Sequence, residues 1–135
     1  MKKVVFVCTH NSGRSQMAEA FANRLGAGKV IAESAGTQPT NGLNPQAVAA
    51  MQEIGYDMSG HYPKVMTLDM VNSADRMITM GCGVDTEGVC PASFIPTEDW
   101  GLEDPKGQPI EKVRQIRDEI EARVEKLIDE LAGEG

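Results

Sequence analysis

Five residues separate Cys8 from Arg14 where a short apolar run, Val4-Val5-Phe6-Val7, gives way to the segment Cys8-Thr9-His10-Asn11-Ser12-Gly13-Arg14-Ser15. A thiol and a guanidinium at that interval can do chemistry on an anion. Backbone N–H groups of a turn through Thr9, His10, Asn11, Ser12 and Gly13 can point inward at an oxyanion, and the N-terminus of a following helix adds its partial positive charge. Arg14 can close the ring with a bidentate fork suited to a tetrahedral oxyanion. The same positive surroundings favour a thiolate at Cys8, so nucleophile and anion cradle become one object. Plain structure offers another account: Cys8 as a small buried hydrophobe ending a core strand, and Arg14 as a surface ion pair. A C-x5-R match also arises by chance.

The elements around the segment favour chemistry. The β-branched run reads as a strand, and Ser15 stands ahead of a helix carrying Met17, Phe21 and Leu25. A strand that delivers its loop to a helix N-terminus is the usual place for a ligand site in α/β folds. Gly26 and Gly28 then break the pattern, and Val30 to Ser34 reads as a second strand ending at Ala35-Gly36. A right-handed crossover makes the two strands parallel. Asn44-Pro45 gives a helix an N-cap with proline at its first position, and that helix runs through Ala47, Val48, Met51 and Ile54 to Gly55. Tyr56 to Val65 reads as irregular, Thr67 to Asn72 as a short helix, and Arg76 to Met80 as a third strand. From Gly81 to Gln108 the chain has only a weak strand candidate near Ile95 to Trp100. The last helix, from about Pro109 to Leu131, repeats apolar residues at spacings of three and four and covers one face of a sheet.

Size and composition narrow the classes. A chain of 135 residues, 41% hydrophobic and 24% charged, is expected to form one domain over 1–135. A net charge of −7 argues against nucleic-acid and membrane partners, which need a basic face. It also means that an anionic substrate must be drawn in locally. No secretory or spanning segment is legible, so a cytoplasmic location is expected, and with it reduced thiols. Three cysteines in that setting suggest catalytic or redox use rather than a permanent crosslink.

Cys82 ends the third strand, where the crevice of a parallel sheet brings it toward Cys8. Seven residues separate it from Cys90, with Gly83 and Gly88 between. The interval is long for zinc and no fourth ligand is obvious, so no metal is expected. A disulfide closing the loop and two unrelated buried cysteines both remain open. Asp104, held extended by Pro105, is a candidate general acid if its loop folds over the anion site.

Together, Cys8 to Glu19, Ser34-Ala35-Gly36, Asn44-Pro45, Cys82 with Cys90, Trp100-Gly101, Asp104-Pro105 and Arg117-Asp118-Glu119-Ile120 resemble the thioredoxin-coupled arsenate reductases. Those enzymes share the fold of the low-molecular-weight protein tyrosine phosphatases. The resemblance covers nearly the whole chain in order. It implies an α/β fold: a single-domain, four-stranded parallel sheet with helices on both faces.

It further implies that Cys8 attacks arsenate held by Thr9 to Arg14, that Ser15 hydrogen-bonds the thiolate, and that Asp104 protonates the departing oxygen. Cys82 would then attack Cys8 and release arsenite, and Cys90 would take over the disulfide for reduction by thioredoxin, with no bound cofactor. A monomer is expected, with phosphate as an arsenate analogue. Glutaredoxin is the other possible donor, and a low-molecular-weight phosphatase is the other function. Some relatives bind potassium through residues matching Asn11, Glu19 and Ser34, but Lys64 stands here where those have an acid, which argues against the ion. The Cys82 to Cys90 interval is also one residue longer than in some relatives. Phosphatases of this fold carry aromatic residues beside Asp-Pro, whereas Lys106-Gly107 follows here and favours the reductase.

Overall fold

A computed structural model describes residues 1–80 and 98–134. Its order is β1 (Lys2–Cys8), α1 (Arg14–Leu25), β2 (Val30–Gly36), α2 (Pro45–Gln52), α3 (Leu68–Ser73), β3 (Arg76–Thr79), β4 (Glu98–Asp99) and α4 (Ile110–Glu134). The strands form one sheet in the order β2-β1-β3-β4, and every pairing is parallel. The central strand β1 is therefore hydrogen-bonded on both sides, as its unbroken apolar run requires.

Alternation along β1 divides the core in two. Val4, Phe6 and Cys8 pack with Met17 and Phe21 of α1, Met51 of α2 and Ile116, Ile120 and Val124 of α4. Val5 and Val7 pack on the opposite face with Met77, Met66 and the α3 residues Met70 and Val71. Helices thus cover both faces of a four-stranded parallel sheet, as the resemblance implies.

Several boundaries differ from the sequence expectation. α1 starts at Arg14, with Gly13 as its N-cap and no side-chain cap. Ser15 therefore lies inside the first turn, and its hydroxyl serves the loop instead of the helix end. α2 stops at Gln52, two residues short of Ile54, which is exposed, and Leu25, the last residue of α1, is exposed as well. Asn44 caps α2 as expected, its side chain accepting from the Gln46 N–H at 2.9 Å. The described part of the fourth strand is Glu98–Asp99; Ile95 lies outside the described residues.

β3 and the chain after β4 act together to position the site. Beyond β4, Trp100 N–H donates to Thr79 O at 2.9 Å and Leu102 N–H to Met80 O at 2.9 Å. The segment consequently continues along β3 to the level of the β1–α1 loop. Trp100 is buried against Phe6, with ring centroids 5.7 Å apart, and this contact seats the segment on the core.

Candidate active site

The loop from Thr9 to Gly13 is held from outside by its carbonyls. Thr9 O accepts from Gln38 N–H (2.8 Å), His10 O from Thr40 N–H (3.2 Å), Ser12 O from Asn44 N–H (2.8 Å), and Gly13 O from Met17 N–H (2.9 Å). Asn11 O accepts from the Gln16 amide at 3.2 Å. In a trans peptide the next N–H points opposite to the carbonyl, and no cis bond is present among the described residues. With the carbonyls turned outward, the N–H groups of His10 to Arg14 face the interior of the loop. Such a ring of donors at the start of a helix is a binding site for an anion.

Asn11 makes the reversal possible. Its φ of 52° lies in the left-handed region, which asparagine tolerates better than most residues. A largely buried network fixes it there: Oδ1 accepts from the Gln16 amide (3.0 Å) and from Lys64 N–H (2.9 Å), while Nδ2 donates to Ser15 Oγ (2.7 Å). Ser15 Oγ, already accepting from Asn11, has its proton free for Cys8 Sγ at 2.9 Å. Asn11 N–H reaches the same sulfur at 3.1 Å. Two donors converge on Sγ, an arrangement that suits a thiolate.

The loop also needs Gly36. A Cβ there would stand 2.7 Å from Thr9 O and 3.1 Å from Asn11, so only glycine lets β2 pass this close. The segment after α2 adds a further wall. Gly36 N–H donates to Lys64 O and Met66 N–H to Gly36 O, giving an isolated parallel bridge between Gly36 and Val65. Gln16 donates to Tyr62 O at 2.9 Å and meets His61 Nδ1 at 3.0 Å. Sequence reasoning passed over Gln16 and this stretch, apart from Lys64. Most of the contact is made by backbone atoms, which no residue type announces.

Glu19 lies below this layer. Its carboxylate accepts from Ser34 Oγ (3.2 Å) and faces His61 Nδ1 (3.1 Å) and Lys64 Nζ (3.7 Å). Burial pushes its titration upward, but the His61 hydrogen bond and the charges of Lys64 and His61 outweigh that, and the carboxyl is held below its ordinary range. An ammonium thus faces the carboxylate at the position compared above with a potassium site.

Cys8, His10, Ser12, Gly13, Arg14, Asp104 and Lys106 line one small cavity. Arg14 is buried and donates to Leu102 O at 2.9 Å, which ties the guanidinium to the segment after β4. Asp104 Oδ1 accepts from Lys106 N–H at 3.0 Å, and Pro105 packs over Gly13, where a Cβ would meet it at 3.1 Å. Of the residues singled out from sequence, Cys8, His10, Ser12, Gly13, Arg14 and Asp104 share this cavity. Thr9 and Asn11 are buried behind it, and Ser15 meets the sulfur from the helix side. Cys82 and Cys90 lie outside the described residues. A thiol, a ring of N–H donors, a guanidinium and a carboxyl around one cavity are groups that can carry out attack on a tetrahedral oxyanion with protonation of the leaving oxygen.

Comparison with known proteins agrees with that chemistry. The model of the low molecular weight phosphotyrosine protein phosphatase family matches residues 3–135. A glutaredoxin arsenate reductase of Synechocystis is 44% identical over 135 residues, covering 98% of this chain and 100% of the relative. Among solved structures, an arsenate reductase in the phosphate-binding state superposes with a TM-score of 0.82 at 42% identity, covering 97% of this chain and 99% of the other. A thioredoxin-dependent arsenate reductase of Corynebacterium glutamicum superposes with a TM-score of 0.79 at 32% identity, over 100% of this chain and 64% of that one. The chain belongs to the low molecular weight phosphotyrosine protein phosphatase family, and its place there is among the arsenate reductases.

Proposed function

We propose that this protein reduces arsenate to arsenite in the cytoplasm through Cys8, Cys82 and Cys90, with thioredoxin as the electron donor. The observation that carries the reading is the convergence of Asn11 N–H and the Ser15 hydroxyl on Cys8 Sγ, inside a cavity shared with Arg14 and Asp104. Arsenate binds in the N–H ring with Arg14 on its oxygens. The Cys8 thiolate attacks arsenic, and Asp104 gives a proton to the oxygen that leaves as water. The Cys82 thiolate then attacks Cys8 Sγ: a sulfur–sulfur bond forms, the sulfur–arsenic bond breaks, and its electron pair stays on arsenic as arsenite. Cys90 attacks Cys82 and frees the Cys8 thiolate. The resulting Cys82–Cys90 disulfide passes to thioredoxin, which is oxidised as the enzyme is reduced.

Glutaredoxin is the second reading for the donor, favoured by the name of the Synechocystis relative. The deciding measurement is arsenate-dependent NADPH consumption with thioredoxin and thioredoxin reductase, repeated with glutathione and glutaredoxin, for the unaltered chain and for Cys8→Ser, Cys82→Ser and Cys90→Ser. Turnover with thioredoxin that requires all three cysteines is expected. Turnover that survives the loss of Cys90 and runs on glutathione would transfer the role to glutaredoxin. No arsenate turnover with either donor, together with steady release of phosphate from an aryl phosphate, would leave a phosphatase in its place.

A further inference from the structure

Among the described residues that line the cavity, Lys106 is the one to which the sequence reading assigned no part in the chemistry. It lines the cavity with Cys8, Arg14 and Asp104, and together with His10 and Ser12 it also borders the adjoining groove that runs over Leu43 and Pro109. Lys106 therefore stands at the rim where an anion passes from open solvent into the N–H ring. Its backbone N–H already holds Asp104 Oδ1 at 3.0 Å, which fixes the turn that presents its side chain. No ion pair joins its ammonium to a carboxylate among the described residues, and the neighbouring Glu103 is engaged by Lys112 at 3.2 Å.

Electrostatics gives that position a task. The chain carries a net charge of −7, so an anion approaching the cavity that Asp104 helps to line meets repulsion from the protein as a whole. Arg14 is buried at the base and shares its donors with Leu102 O. We infer that Lys106 is a second anion-binding cation of this site, whose charge draws a small, doubly charged tetrahedral oxyanion past Asp104 and holds its outward oxygen. The inference rests on the reading of the loop as an oxyanion site and adds a residue to it. A lysine suits a rim better than an arginine because its compact ammonium on a flexible stem can follow the anion inward.

The test uses alkylation of Cys8, which needs no reductant. Rates for anionic iodoacetate and neutral iodoacetamide are measured at Cys8 by peptide mapping in the full chain, with and without inorganic phosphate. This is done for the natural protein, Lys106→Gln and Lys106→Arg. Every variant keeps the backbone N–H that orders the turn. For Lys106→Gln the iodoacetate to iodoacetamide ratio is expected to fall about 3- to 10-fold, the range for losing one nearby charge in a partly solvated site. The phosphate concentration giving half protection should rise by a similar factor, the iodoacetamide rate should stay within about twofold, and Lys106→Arg should restore the ratio. An unchanged ratio in Lys106→Gln, or an equal slowing with both reagents, overturns the inference. Failure of phosphate to protect Cys8 in the natural chain would instead sink the oxyanion reading itself, and this assignment with it.

Discussion

Cys8 and Ser15 lie seven residues apart in the chain, and their side chains meet at 2.9 Å between Sγ and Oγ. The serine is held to this task because Asn11 Nδ2 donates to its oxygen at 2.7 Å, leaving the hydroxyl proton for the sulfur. Loss of one hydrogen bond to a charged group costs about 1.5–3 kcal/mol. Ser15→Ala should therefore slow Cys8 alkylation and arsenate turnover about 10-fold or more near neutral pH. Stopped-flow alkylation checks this, and a rate within twofold of the natural chain would show that Asn11 N–H suffices.

Arg14 is the buried cation of the cavity, 4% exposed, with one nitrogen on Leu102 O. Lysine keeps the charge but not the planar fork that holds two oxygens while bonding Leu102. Arg14→Lys should lower kcat/KM for arsenate about 10- to 100-fold, since one or two charge-assisted bonds are lost. Steady-state kinetics decides the matter, and full activity in the lysine variant would mean that charge alone is required.

Gly36 lets β2 graze the loop. A methyl group there meets Thr9 O at 2.7 Å, and a carbonyl pinned by Gln38 N–H has little room to retreat. Gly36→Ala is expected to destabilise the fold by about 1–3 kcal/mol, the usual range for overpacking. It should also slow Cys8 alkylation, because Asn11 is displaced with Thr9. Urea unfolding alongside the alkylation rate tests both; a variant as stable and as reactive as the parent would refute the close approach.

Glu19 gives the fold a dependence on pH. Burial raises its titration, but the bond to His61, the charges of Lys64 and His61 and the bond from Ser34 lower it further, so the folded carboxyl titrates below 4.5. A carboxylate lowered on folding contributes stability that is complete above its unfolded value and disappears as pH falls through the folded one. The stability difference between the natural chain and Glu19→Gln should therefore be constant above about pH 5 and close as the pH drops below that. Urea titrations from neutral to acid pH measure it. A gap that persists undiminished into strong acid would contradict the assignment of the Glu19 cluster.

The sequence was most informative where local periodicity and side-chain chemistry coincide. Val4 to Cys8 and the Met17–Phe21 spacing placed the Cys8 thiol at a strand end before a helix, and the Asn44–Pro45 cap and the long amphipathic α4 were equally plain. Ser15 was expected ahead of the helix and lies within its first turn, while its contact with Cys8, implied by the resemblance, is present. The position of Cys8 Sγ, set by β1, gives the hydroxyl its partner at 2.9 Å. Leu25 and Ile54 count as apolar in any pattern, yet Leu25 is the final residue of α1 and Ile54 lies beyond α2, and both are exposed.

The residue types that carry the chemistry, and the short strand–loop–helix that places the thiol under a ring of N–H groups, follow from sequence alone, because each depends on neighbours a few positions away. The closing of the site does not. Leu102 O meets Arg14 across 88 positions, Lys64 N–H meets Asn11 across 53, and Tyr62 O meets Gln16 across 46. These partners are backbone atoms, common to every residue. Their arrival at the loop is decided by the parallel sheet, which runs β3 and the chain after β4 to the same level as the end of β1, and by the Gly36–Val65 bridge. Tertiary structure thus turned a reactive loop into a walled cavity holding Asp104 and Lys106.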